Sequence, residues 1–99
     1  MNYVGAIIKI LESPQQSIIK NNIPVTRFRA QLSQVRQNQI VHIVVWGNLA
    51  DDISKYYGIN DYILIEGYLS VRKLSDSKSL KKIQITVLNV YPFLLSSIY

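Results

Sequence analysis

Ninety-nine residues, 48% of them hydrophobic and 17% charged, suffice for one globular domain and exclude both a disordered chain and a large multi-site enzyme. The absence of cysteine and the single histidine, His42, exclude disulfides, thiol catalysis, zinc fingers and iron–sulfur clusters, and leave little for a metal site or Ser–His chemistry. Eleven basic against six acidic residues give a net charge of +5, which suits a polyanionic partner, either nucleic acid or an anionic membrane surface.

In chain order the dominant period is two, the mark of half-buried strands. Residues 3–12 put Val4, Ala6, Ile8 and Ile10 on one side and Tyr3, Gly5, Ile7 and Lys9 on the other. Ser13, Pro14 and a polar stretch to Asn22 read as a connection. Residues 24–34 form the second predicted strand, with Phe28, Ala30 and Leu32 facing one way and Arg27, Arg29 and Gln31 the other. A short polar turn over 35–38 leads into the third strand, 39–46, with Val41, Ile43 and Val45 inward and Ile40, His42, Val44 and Trp46 outward. Residues 48–57 alone suit a helix: Asn48 can cap it, Asp51 and Asp52 suit its positive end, Leu49, Ile53 and Tyr56 or Tyr57 follow the 3.6 spacing, and Gly58 can stop it. Residues 61–73 alternate most clearly, with Gly67 on the apolar side, where a missing side chain permits a bulge or close packing. A polar loop over 74–79 precedes the last strand, 81–91, with Ile83, Ile85 and Val87 inward.

The expected fold is therefore all-β. Five strands with one helix between strands 3 and 4 is the layout of an OB-fold barrel filling residues 1–99 as one domain. Without the helix position, an SH3-like barrel or a small sandwich would fit the same strands. No apolar run reaches the ~18 residues of a membrane span. The start, MNYVGAIIKILE, lacks a basic leader and a small-residue cleavage site, so no signal peptide is expected. Ile, Asn, Lys and Tyr, all served by A/T-rich codons, make up 36 of the 99 residues, as an A/T-rich genome such as a plastid's would produce.

Charge is segregated along the chain. Residues 20–46 carry +4, residues 47–66 carry −3 and residues 67–99 carry +4. No catalytic set emerges: adjacent Asp51 and Asp52 point about 100° apart on a helix, His42 stands alone, and no glycine-rich phosphate loop is present. Hence no enzyme and no cofactor or metal is expected. Binding is better supported. On the outward side the strands offer Lys9, Arg27, Arg29, Gln31, His42, Trp46, Tyr68 and Arg72. Cations that track phosphates beside flat rings that accept unstacked bases are what single-stranded nucleic acid requires.

The stretch Val44-Val45-Trp46-Gly47-Asn48-Leu49-Ala50 and the later Tyr62-Ile63-Leu64-Ile65-Glu66-Gly67-Tyr68-Leu69-Ser70-Val71-Arg72-Lys73, at a spacing that matches without gaps, resemble bacterial-type single-stranded DNA-binding proteins. That family shows an aromatic before Gly-x-Leu-Ala, a short helix, then a hydrophobic run, a Gly-x-Leu and a basic pair. The likeness extends over about residues 3–92 and is most specific over 41–73; the short length fits the small reading frames of this kind in algal plastids and cyanobacteria. It implies that Trp46 stacks a base and that Arg72 and Lys73 lie on the DNA path. With Arg27, Arg29 and Arg36, these form the expected nucleic-acid site. Ile40 and Leu74 stand where the family carries two further tryptophans, the loop over 35–38 is short, and the flexible acidic tail that recruits partners is not expected.

The resemblance further implies a homodimer or homotetramer, single-stranded DNA as partner with RNA possible, no membrane, and a plastid stroma or cyanobacterial cytoplasm as the setting. Ile7, Tyr62 and Leu64, apolar on the outward side, are the expected interface residues. Two other readings stay open from sequence: a protein-interaction subunit with weak nucleic-acid affinity, and an RNA-binding module.

Overall fold

Alternating apolar residues become a closed barrel. The computed structural model describes residues 2–33, 39–73 and 81–92. Its elements are β1 (Asn2–Ile10), β2 (Gln15–Ile19), β3 (Ile23–Leu32), β4 (Gln39–Trp46), α1 (Asn48–Tyr56), β5 (Tyr62–Lys73) and β6 (Lys81–Pro92). The sheet runs β1-β5-β6-β4-β3-β2, and β1 also pairs with β3, which closes the first five of these into a barrel. All pairs are antiparallel except β4 with β6, where Ile43 lies beside Ile85. This is the OB-fold expected from the sequence.

One strand was not expected. β2 extends the sheet outside the barrel as an antiparallel hairpin with β3, joined by a tight turn at Lys20–Asn22. Asn21 and Asn22 both adopt positive φ, 72° and 60°, which asparagine tolerates better than most residues. The extra strand is why the helix falls between the fourth and fifth strands of the chain rather than the third and fourth. The expected turn at 35–38, with Arg36, and the loop at 74–79 lie outside the described residues.

Inward residues of every barrel strand meet in one core: Ala6, Ile8, Ile10, Phe28, Ala30, Val41, Ile43, Val45, Ile63, Ile65, Ile85 and Val87 are buried, with Val4, Leu32, Leu69 and Ile83 packed partly buried against them. Every core residue expected from the alternation is among these. Burying each such aliphatic side chain contributes roughly 1.5–3 kcal/mol. α1 adds Ala50 and Ile53 to the core. The helix is fastened by Thr26, fully buried on β3. Its Oγ1 donates to the Ala50 carbonyl at 2.8 Å and lies 2.9 Å from Ser54 Oγ.

The helix ends differ from expectation. Gly47, not Asn48, is the N-cap, and no side chain caps the helix. The chain passes from β4 into α1 at Gly47 with φ 74° and ψ −147°, a backbone region open essentially to glycine alone. At the other end the helix stops because Tyr57 turns extended, while the Gly58 amide donates to Asp61 Oδ2 at 2.8 Å. Asp51 spends its charge on Lys55, one turn along, at 3.0 Å.

Gly67 fulfils both readings made of it. Between Glu66 and Gly67 the register slips, from Glu66 opposite Asn89 to Gly67 opposite Val87, so Leu88 is an extra residue on β6. There the β6 backbone presses onto Gly67, which is itself buried.

Candidate nucleic-acid interface

The β3–β4 hairpin sets the order of the outer face. Val25 lies opposite Trp46, Arg27 opposite Val44, and Arg29 opposite His42. Trp46 is thus one diagonal step, about 7–8 Å, from Arg27. The rows continue across β4 onto β6, with His42 beside Gln84 and Val44 beside Thr86, and onto β2, with Gln15 beside Arg27. Arg27, Arg29, His42 and Trp46 therefore share one surface. Trp46 is 43% exposed at the end of β4, and Ile40 is exposed at the other end.

Arg29 is engaged in a way the sequence did not suggest. Leu11 donates its amide to the Arg29 carbonyl at 3.0 Å, prolonging the β1–β3 pairing beyond Ile10 and Ala30. That brings Glu12 alongside. Its Oε2 accepts the Arg29 amide at 2.9 Å, and its Oε1 accepts from Nε and a terminal guanidinium nitrogen at 3.3 and 3.2 Å. These bonds to Arg29 lower the Glu12 pKa below its ordinary value. Both partners remain partly exposed, so the pair adds little to stability.

Glu12, Gln15, Arg27, Phe28, His42, Ile43, Val44, Lys82 and Gln84 line a cavity of about 250 Å³ on this face. Lys82 was not among the expected site residues; the alternation puts it on the outward side of its strand, but only the β4–β6 contact brings it beside His42. Arg72 and Lys73 end β5 opposite Lys82 and Lys81 in register. Lys9 lies elsewhere, between Gln31 and Tyr62, with its ammonium 6.0 Å from the Tyr62 ring centre. Among the described residues no cluster of three or more His, Asp or Glu is placed to hold a metal.

A second face lies on β1, β5 and β6. Its rows are Ile7–Leu64–Tyr91, Gly5–Glu66–Asn89 and Tyr3–Tyr68–Thr86. The Tyr3 and Tyr68 rings meet edge to face at 5.6 Å. Glu66 Oε1 accepts from the Tyr91 hydroxyl at 3.0 Å and from Asn89 at 3.3 Å. Tyr3, Tyr68 and Tyr91 are exposed, and Ile7, Tyr62 and Leu64 are half-buried within the single chain.

Comparison with known proteins bears on what these faces do. The profile of the single-strand binding protein family matches residues 1–92. The chain belongs to that family. It is 42% identical over 106 residues to the ycf41 protein of Trieres chinensis, whose name marks it as a candidate single-stranded DNA-binding protein; the match takes in 99% of this chain and 94% of that one. It is 27% identical over 86 residues to the thylakoid-associated single-stranded DNA-binding protein of Synechocystis, covering 83% of this chain and 67% of the relative. Among solved structures, the SSB domain of a Synechococcus protein superposes with a TM-score of 0.75 at 25% identity, covering 92% of this chain and 94% of that domain. The small single-stranded DNA-binding protein of Streptomyces coelicolor shares the fold, with a TM-score of 0.80 at 18% identity and coverage of 94% and 93%.

Proposed function

We propose that the outer face of β2, β3, β4 and β6 binds single-stranded DNA without catalysis, in replication, repair or recombination. The observation that carries this reading is the β3–β4 register, which sets Arg27 and Arg29 beside Trp46 on one surface of a family OB-fold. Cations on that surface follow the phosphates, and Trp46 offers an exposed ring to a base. Arg27, Arg29, Arg36, Arg72 and Lys73 are the phosphate-tracking residues of the proposal, with Lys82 added from the cavity. The relatives from Trieres and Synechocystis suit a plastid or cyanobacterial setting.

The test is a titration of labelled DNA and RNA oligonucleotides at a series of salt concentrations. Each neutralised phosphate of a single strand contributes a slope of about −0.7 in log affinity against log salt, so the six residues named give about −4.2. A slope near zero would turn the reading toward a protein-interaction subunit, and preference for RNA would change the substrate.

The face of β1, β5 and β6 supports self-association. It exposes Tyr3, Tyr68 and Tyr91 beside half-buried Ile7 and Leu64, with Glu66 held by hydrogen bonds from Tyr91 and Asn89. The expected result is a dimer or tetramer mass by light scattering at micromolar concentration. Mutating Tyr3 and Tyr68 together to Asp should lower that mass toward a single chain, and an unchanged mass would exclude this face.

A further inference from the structure

The cavity on the β3–β4 face holds more than a row of cations. Arg27 and Lys82 line it with no acidic partner among the described residues. Gln15 and Gln84, whose side-chain amides can donate hydrogen bonds, line it too. The one carboxylate at its wall, Glu12, has both oxygens committed to Arg29. His42 is also in the lining, set between Arg29 on β3 and Gln84 on β6. Two fixed cations, two amides and an imidazole around one space is a donor set for a phosphodiester oxygen.

We propose that this cavity is a phosphodiester seat in which His42 is the third cation, so that binding single-stranded DNA takes up one proton at that imidazole. The inference rests on the reading of this face as a DNA site. The charged groups facing His42 are Arg29 from β3, Lys82 from β6 and Glu12 from the segment after β1; Arg27 shares the lining. In the free protein, partial burial first, then the charges of Lys82 and Arg29, hold the His42 pKa below its ordinary 6.5, and Glu12 offsets this only in part. An entering phosphodiester reverses the local field. Its negative charge favours the imidazolium, which then donates a hydrogen bond to a phosphate oxygen; the proton comes from solvent. The bound-state pKa lies above the free-state pKa. Affinity must therefore rise as pH falls through the interval between the two, and become level below it.

His42 is the only histidine, so its imidazole C–H signals in NMR report one site. Oligo-dT is the right probe, because thymine carries no group that titrates between about pH 5.5 and about pH 8. The expected results at constant ionic strength are a rise in affinity of roughly tenfold across that range, one pKa unit of displacement, and an upward move of the His42 titration on adding oligo-dT. His42→Gln should flatten the pH dependence. His42→Lys, which keeps the cation, should bind tightly and without pH dependence. Tight binding with the same pH slope in His42→Gln, or a His42 titration unmoved by DNA, would overturn the proton uptake while leaving the DNA site in place. No binding at any pH would remove the DNA reading itself and this inference with it.

Discussion

Replacing Gly67 by alanine is expected to cost on the order of 3 kcal/mol or more, a large part of the roughly 5–15 kcal/mol that holds a domain folded. A Cβ at this position would run into the Thr86 carbonyl oxygen and stand 2.9 Å from both the Thr86 carbonyl carbon and the Val87 Cα. All three are backbone atoms of β6, where the strand bulges at Leu88. No rotamer relieves such a clash, so the β5–β6 pairing itself must move, and that pairing runs through both the core and the outer face. In thermal unfolding followed by circular dichroism, each kcal/mol corresponds to roughly 4–8 °C for a domain of this size, and a fall of about 12 °C or more is expected. Gly5→Ala is the control. There a Cβ would meet only the Ile65 carbonyl oxygen at 3.9 Å and Glu66 Cγ at 4.0 Å, ordinary contacts. Equal losses in the two variants would mean that the close approach at Gly67 is not what fixes the bulge.

The strands of the barrel were legible because burial enforces alternation: wherever one face meets the core, polar and apolar residues must take turns. Gln15–Ile19 escaped notice for the same reason. β2 lies outside the closed barrel and is held by backbone bonds to β3, so its residues need not alternate, and Gln15, Gln16 and Ser17 read as a loop. The helix was legible from the spacing of Leu49 and Ile53, but its start was not. A capping side chain is a local signal, whereas Gly47 is needed because the chain must change direction between β4 and α1, a demand of the tertiary fold. Val25 and Val44 show another limit. Both lie on the outer face by parity, yet both are buried, so the period alone does not say which outward residues stay wet.

The site was legible as a composition and illegible as a circuit. Arg27, Arg29, His42 and Trp46 were read to one face, because strand parity and a hairpin are enough to place them there. The pairing of Arg29 with Glu12 spans 17 residues of sequence and depends on β1 and β3 continuing past their last paired residues. Lys82 joins His42 only through the parallel contact of β4 with β6, a pairing that no hairpin announces. Long-range closure of the barrel is what converts separate strand faces into a cavity.

Trp46→Ala is expected to weaken binding of single-stranded DNA by about 1–3 kcal/mol, the range for losing one base-stacking aromatic. Trp46 is exposed on the outer face, one diagonal step from Arg27, and its neighbour across the hairpin is the buried Val25. The indole is open to solvent, as a platform for a base must be and a core residue is not. At the far end of β4 the corresponding outward place is filled by Ile40, which is exposed and has no ring to offer. Trp46 therefore bears a larger share of stacking on this strand. It is the only tryptophan, so saturating oligo-dT should quench its emission and the quench should titrate with binding measured independently. Because the side chain is outside the core, the alanine variant should retain its fold by circular dichroism, which separates lost affinity from lost structure. Binding without any change in emission would place the bases elsewhere on the barrel. A variant with native affinity but a smaller mass in solution would make Trp46 part of the contact between copies instead.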